Sequence, residues 1–598
     1  MAFLKRFYGF LTTRQRVGVL AFFVLAVVSS VVELFGIGLV VLLLQSFAQD
    51  RTSGLLAKLE PIVDVFRFGT RYDAQINLIL FLVVAYTVRL GVALLYSDVR
   101  TRLIVSVQHA AMRRVYRGVM SLPYQAYATI DSAAVLTTLL KVAPRVGKNL
   151  LNAILMAGVE ATLVIAVVIG LALQEPVTTA AVGIAMFTLY GVVQMVTGRK
   201  LRRNGIAENK ASVRYQQHVL DSFRGFRDIR IHGLNREFNL RHSRLLDEEA
   251  ELQRRARLLT ETPRLYIETG IVFVVLALVL AQLLLDVPRA EFASRMLVLA
   301  VAVARLMPSA NRLASAWSSV LHNIGCVQDL ENLYRRYPVP DGPIRHAEGP
   351  TLRGQIALEN VSFAYPDAPT VIDKVSMTIP RHAMAGIIGG SGSGKTTLLE
   401  IIAGLLPPAD GALMIDGEAL SAAAAPGWLE RVGYVPQSTM VFAGSIEDNI
   451  VFGRPLNPDA VARAVKAAQL EGLLARFPEG IAAQVGDAGD RLSGGERQRI
   501  GIARAFYHRP EVLILDEATS ALDVNTEAAI LASLDALRSE TTIIVVAHRL
   551  SAVASCDVIY WLDNGRVRAQ GDYSAVVSAF SGLDGAGGRD RRELIGHG

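Results

Sequence analysis

Residues 386–405 read GIIGGSGSGKTTLLEIIAGL. A short apolar run enters a glycine-rich turn and leaves it directly as a helix, and this order decides the fold of the half of the chain that contains it. Gly389, Gly390, Gly392 and Gly394, with Ser391 and Ser393 between them, let backbone N–H groups close around phosphate oxygens. Lys395 reaches the terminal phosphates, the Thr396 hydroxyl is a ligand for Mg²⁺, and Thr397 continues the first helical turn. The expectation is an α/β nucleotide-binding domain.

Downstream, VLILDEATSALD (512–523) reads as a buried strand that ends in Asp516, placed to hold Mg²⁺, and Glu517, placed to polarise an attacking water as general base. An acidic pair at a strand end also serves as a helix cap, but the upstream phosphate loop favours the catalytic reading. Before it, RLSGGERQRIGIARA (491–505) places a Ser-Gly-Gly turn at the start of a helix. That is a second anion site, with Ser493 and the Gly494 and Gly495 amides aimed at phosphate. One compact domain has little use for two helix N-termini on a single triphosphate.

The remainder of the chain is different in kind. Of 598 residues, 52% are hydrophobic and 19% charged, too apolar for one soluble protein of this length. Six apolar runs of membrane-spanning length lie near 17–44, 76–97, 150–173, 177–198, 265–285 and 292–320, all ahead of the Pro/Gly-rich YPVPDGPIRHAEGP (337–350). QEP (174–176) and DVPRAE (286–291) make tight outer turns. The long connections after runs two and four carry Arg113, Arg114, Arg117, Arg199, Lys200, Arg202 and Arg203, which places them, and both termini, in the cytoplasm. The first run is too long for a signal-peptide core and reads as a retained anchor. The net charge of +7 therefore belongs to loops at a membrane, and nucleic acid is excluded as a partner. Cys326 and Cys556 are too few for a metal site or disulfide framework.

Each long connection has helical spacing and one interruption, at SLPYQAYATIDS (121–132) and LDSFRGFRDIRIHGLNRE (220–237). The spans are expected to continue as helices beyond the membrane and to turn there. The expected domains are a transmembrane domain over 1–336, a linker over 337–353, a nucleotide-binding domain over 354–580 and a disordered tail over 581–598.

LSGGE followed by LILDEATSALD, with the phosphate loop upstream, resembles the ATP-binding cassette family across the whole soluble half. The resemblance implies a multidomain chain: an all-α six-helix transmembrane domain of the type I exporter (type IV ABC) fold, followed by an α/β P-loop cassette. It implies ATP and Mg²⁺ as cofactors and ATP hydrolysis coupled to transport. It also implies that two cassettes face each other head to tail, so two copies of this chain form the simplest assembly. By the same resemblance Tyr365 in FAYPDAP is the aromatic on adenine, Gln437 in GYVPQS the Q-loop residue, counted both as catalytic and as a Mg²⁺ ligand, Asp523 the D-loop aspartate and His548 in VVAHRL the histidine on the γ-phosphate. Glu496 stands where the family most often has glutamine. The turns near 124–131 and 222–231 are similar to the family's coupling helices.

The sixth run contains VAVARLMPSANRLASAW (301–317). If the span ended at Ala304 it would be too short to cross, so the helix is expected to continue, with Arg305, Ser309, Arg312, Ala316 and Ser319 on one stripe lining a wet cavity. Arg89 lies at a similar depth in the second run and Arg264 just below, in the fifth. Arg89, Arg264, Arg305 and Arg312 are thus candidate ligands for an anionic head group. The competing reading pairs them with Glu33, Glu160 or Glu268. VRLGVALLY, PRLYIE, RLMPSANRL and VVELFGIGLV resemble segments of the lipid-linked oligosaccharide flippases of bacterial protein N-glycosylation. That implies a polyprenyl-pyrophosphate glycan moved from inner to outer leaflet of the bacterial cytoplasmic membrane; the alternative is an exporter of the same architecture for another amphiphile, a glycolipid, a drug or a peptide. The segment 51–69 is either a surface helix for the polyprenyl tail or a cap on the bundle.

Overall fold

The computed structural model describes residues 8–9, 11–48, 73–127, 130–172, 176–284, 289–338, 348–366, 368–486, 489, 491–518, 524–547 and 553–581. Its contacts divide the chain into two units, Met1–Leu122 with Thr129–Asp341, and Gly342–Gly598 with Pro123–Ala128.

The first unit is helical. Its long helices are α1 (Thr13–Ala48), α2 (Asp73–Met120), α3 (Asn152–Ala172), α4 (Pro176–Arg224), α5 (Asn235–Leu284) and α6 (Arg289–Arg336). Thr13–Val32, Ile76–Met120 and Ser132–Ile169 are, among the described residues, long and apolar enough to cross a membrane. The other three expected spans lie on α4, α5 and α6. Helix α6 runs through Ala304 and Pro308 without a break, as the length argument requires. Proline at 308 removes one backbone donor but does not end the helix, because the surrounding bundle holds it.

Helices α2, α4 and α5 extend far past the membrane-length segments, and short helices mark their interruptions, at Tyr124–Tyr127 and Phe226–Ile231. After the first interruption Asp131 starts a new helix: its Oδ1 accepts the Ala133 and Ala134 N–H groups, each at 3.0 Å. Two π turns follow, Thr138–Val142 and Val146–Leu151, on either side of Ala143–Arg145 with Pro144 at its centre. A π turn inserts an extra residue and changes the facing of the side chains that follow. Here Lys141 and Arg145 face α4 and α5. Lys141 pairs with Glu249 (2.7 Å) and bonds Ser212; Arg145 pairs with Glu208 (2.6 Å) and bonds Asn209 (3.0 Å). His322 of α6 reaches the other Glu208 oxygen at 3.2 Å, and Asn209 donates to Asp329 at 3.0 Å. Gly205 permits this approach of α4 to α6, since a Cβ there would sit 2.2 Å from the His322 carbonyl oxygen.

The second unit contains two sheets. Strands β1 (Gln355–Ala364), β2 (Thr370–Pro380), β4 (Asp410–Ile415) and β5 (Glu418–Ala419) form an antiparallel sheet in the order β2-β1-β4-β5. Strands β3 (Met384–Ile388), β6 (Val432–Val435), β7 (Val512–Asp516), β8 (Thr542–Val546), β9 (Val558–Asp563) and β10 (Arg566–Gly571) form the other, in the order β10-β9-β3-β8-β7-β6. Its inner strands are parallel, with β3 on β8 and β9 and β7 on β6 and β8. Every residue of β3, β7 and β8 is buried, as expected of parallel strands covered on both faces. Helix α7 (Lys395–Ile402) follows β3, and helix α8 (Gly494–Tyr507) precedes β7. Functional loops collect at the carboxyl ends of β3 and β7, the usual ligand edge of such a sheet.

Candidate nucleotide site

The phosphate loop occupies the turn from Ile388 at the end of β3 to Lys395 at the start of α7. Gly394 caps the helix with φ +100°, a conformation open only to glycine, and Gly392 has φ +78°. Lys395 is buried, and its Nζ donates to the Gly389 and Gly390 carbonyls at 3.0 and 2.9 Å. Burial lowers its affinity for a proton, and the nearby Glu517 and Asp516 charges oppose that. Thr396 is exposed beside the loop, whereas Thr397 and Ser393 are buried, and Ser391 is exposed.

Asp516 closes β7 at 2% exposure and accepts the Tyr434 hydroxyl at 3.2 Å. Burial first, and then the Asp516 charge, raises that hydroxyl far above its ordinary range, so Tyr434 remains a donor. Glu517 turns away from the strand with φ +51°, a left-handed backbone at a non-glycine residue. Its Oε2 accepts the Gln437 side-chain amide at 2.7 Å, which brings two expected site residues together. Thr396, Asp516 and Gln437 each offer a hard oxygen donor of the kind Mg²⁺ takes, and the loop supplies backbone amides and the Lys395 ammonium for phosphate. The residues present fit ATP with Mg²⁺.

The Ser493 turn lies at the N-terminus of α8, with Ser493 and Gly494 exposed and Gly495 half-buried. Ser493 and Glu496 form a reciprocal cap: Ser493 Oγ accepts the Glu496 N–H at 3.3 Å and Glu496 Oε2 accepts the Ser493 N–H at 2.7 Å. Arg476 pairs with the remaining Glu496 oxygen at 2.8 Å. The Glu496 carboxylate is buried and takes part in the cap.

Tyr365 stands edge-on to Phe363 at 5.0 Å, with its hydroxyl 3.2 Å from Thr397 Oγ1 and 3.4 Å from Glu400 Oε2. Asp523 and His548 lie outside the described residues, as does segment 51–69. Sequence reading overlooked Tyr434, Glu400 and Arg476: Tyr434 and Glu400 stand inside the stretches GYVPQS and GKTTLLEIIAGL, but their partners Asp516, Tyr365 and Tyr124 are distant in sequence, and Arg476 lies outside every motif. Only the aromatic in GYVPQS, on β6 beside β7, offered a signal.

In the membrane unit two candidate cargo arginines are committed to glutamates. Arg312 makes a two-pronged contact with buried Glu160, with Nη2 to Oε2 at 3.1 Å, and touches Ser309 at 3.3 Å. Arg264 pairs with Glu268 at 2.7 Å, and Asn311 donates to the same oxygen at 2.7 Å. Arg89 lies over the Tyr86 ring at 5.5 Å. The side chains of Arg305 and Glu33 are outside the described residues. The expected polar stripe is only partly open: Ser309 and Ala316 are buried, while Arg312 is exposed.

Residues 372–520 match the ABC transporter family, and residues 19–262 match the ABC transporter transmembrane region. Both halves are those of an ABC transporter. The chain is similar to the leukotoxin translocation ATP-binding protein LktB of Mannheimia glucosida, 37% identical over 279 residues, which are 46% of this chain and 38% of that one. It is also similar to ATP-binding cassette sub-family B member 6 of Mesocricetus auratus, 40% identical over 259 residues, 42% of this chain and 30% of that one. The match thus spans well under half the length of these relatives. A solved structure of a bacterial Atm1-family ABC exporter with ATP bound superposes with a TM-score of 0.77 at 20% identity, covering 96% of this chain and 99% of that one. The fold is that of an exporter: a helical transmembrane domain followed by an α/β cassette.

Proposed function

We propose that two copies of this chain form an ATP-driven exporter that moves an amphiphile with an anionic head group across a membrane. The Glu517–Gln437 contact of 2.7 Å, at the end of the strand that also carries Asp516, is the observation that carries this reading. Glu517 is the general base: its carboxylate, held by the Gln437 amide, accepts a proton from the water that attacks the γ-phosphate. Lys395 and the loop amides from Gly389 to Thr397 bind the phosphates. Thr396, Asp516 and Gln437 would hold Mg²⁺, which would neutralise developing phosphate charge. The exposed turn at Ser493 and Gly494 offers backbone amides to an anion. A second copy supplies it, so each ATP lies between one chain's Lys395 and the other's Ser493, with Asp523 and His548 completing the site. Tyr365 stacks on adenine.

The cargo we favour is a lipid-linked oligosaccharide, a polyprenyl-pyrophosphate glycan in the bacterial inner membrane, with Arg89, Arg305 and Arg312 near its phosphates. The exposure of the Arg312 residue supports it. A second reading has its own observation: the Arg312–Glu160 and Arg264–Glu268 pairs present balanced charge, which suits a zwitterionic or peptide cargo. Proteoliposomes separate the two. On the first reading, ATP moves a fluorescent polyprenyl-pyrophosphate glycan between leaflets, and Arg305→Ala weakens this by about one to two decades, with basal ATPase retained. ATP-driven movement of a zwitterionic peptide but not of the glycan establishes the second.

A further inference from the structure

Glu400 belongs to no recognised motif, yet it lies on α7 five residues after the phosphate-loop lysine and is only 9% exposed. A buried carboxylate requires donors, and two tyrosines supply them from different parts of the chain. Tyr124 donates to Oε1 at 3.0 Å, and Tyr365 donates to Oε2 at 3.4 Å while sharing its hydroxyl with Thr397 Oγ1 at 3.2 Å. Tyr124 comes from the short helix between α2 and the π-turn segment, a stretch that groups with the cassette unit. Tyr365 is fixed at its other edge by Phe363, so its hydroxyl tether removes the remaining freedom of the ring.

We propose that Glu400 is a positioning residue that ties the Tyr124 hydroxyl to Tyr365, so that the first interhelical turn sets the affinity for the adenine end of ATP. The physical basis is pre-organisation. A ring already held in its binding pose loses less rotamer freedom when a base stacks on it. The two tyrosines share one acceptor group, and by linkage whatever displaces Tyr124 alters the hold on Tyr365, and nucleotide at Tyr365 alters the hold on Tyr124. Burial raises the proton affinity of Glu400 while the two tyrosine hydroxyls counter it, which agrees with a carboxylate dependent on both donors.

The inference rests on Tyr365 as the adenine-facing aromatic, and the experiment keeps the two claims apart. In the purified full-length protein, ATPase kinetics are measured for Tyr124→Phe, Glu400→Leu, their combination, and Tyr365→Ala. Glu400→Leu is expected to raise KM for ATP roughly three- to tenfold with kcat unchanged. Tyr124→Phe, a mild change at a part-exposed ring, should raise KM in the same direction, and the double variant should be no worse than Glu400→Leu alone. Tyr365→Ala should raise KM at least as much. A KM unmoved by Tyr365→Ala overturns the adenine role and the inference with it. A KM raised by Tyr365→Ala but unmoved by Tyr124→Phe, or additive effects in the double variant, overturns the inference alone.

Discussion

Glu517 is held on both sides of its side chain's base. Its backbone adopts φ +51°, and its carboxylate accepts the Gln437 amide at 2.7 Å. Strain of this kind persists only where surrounding contacts fix it, here the Glu517 N–H on the Val546 carbonyl at 3.2 Å. Substituting glutamine keeps the shape and removes the base, so Glu517→Gln should bind ATP as the native chain does and lose hydrolysis by about 10²- to 10⁴-fold. Steady-state phosphate release alongside a nucleotide-binding titration checks this. The motif residues were legible in the sequence because each must recur at fixed spacing around a strand end, as in DEATSALD. The Tyr434 contact to Asp516 was not, since it joins positions 82 apart. Arg312 and Glu160 are 152 apart, and only the packing of α6 on α3 selects that glutamate over the others.

At the scale of elements, the polar extensions are tied by buried charge. Burial alone would raise the Glu208 carboxyl, but His322 and Arg145 outweigh it and hold it at about 2, against an ordinary 4.5. Such a depression corresponds to about 3 kcal/mol of stability at neutral pH. Because the folded value lies below the unfolded one, this contribution is complete above about pH 4.5 and is lost as pH falls through about 2. Arg145→Ala strands the carboxylate and should destabilise the protein by about 3 kcal/mol, with much of that recovered in Arg145→Ala/Glu208→Ala. Thermal unfolding in detergent across pH 3 to 8 measures both effects. Helix extent was readable from run length, since a span ending at Ala304 could not have crossed. The π turns were not, because they answer to the partners of Lys141 and Arg145 rather than to local propensity.

For the whole molecule, one chain carries a phosphate loop at the end of β3 and an exposed turn at Ser493, the proposed halves of a shared nucleotide site. In the proposed dimer, two copies complete each other. Lys395→Ala spoils the first half and Ser493→Arg the second, and each chain alone should be nearly inactive. When the two are mixed and allowed to exchange, half the dimers are mixed ones with one good site of two, so ATPase should recover to about a quarter of the native rate. The measurement is ATP hydrolysis by the exchanged mixture of the two chains, taken before any step that enriches the mixed dimers. Recovery near that level is the predicted result; a mixed dimer no more active than either variant alone would contradict the account.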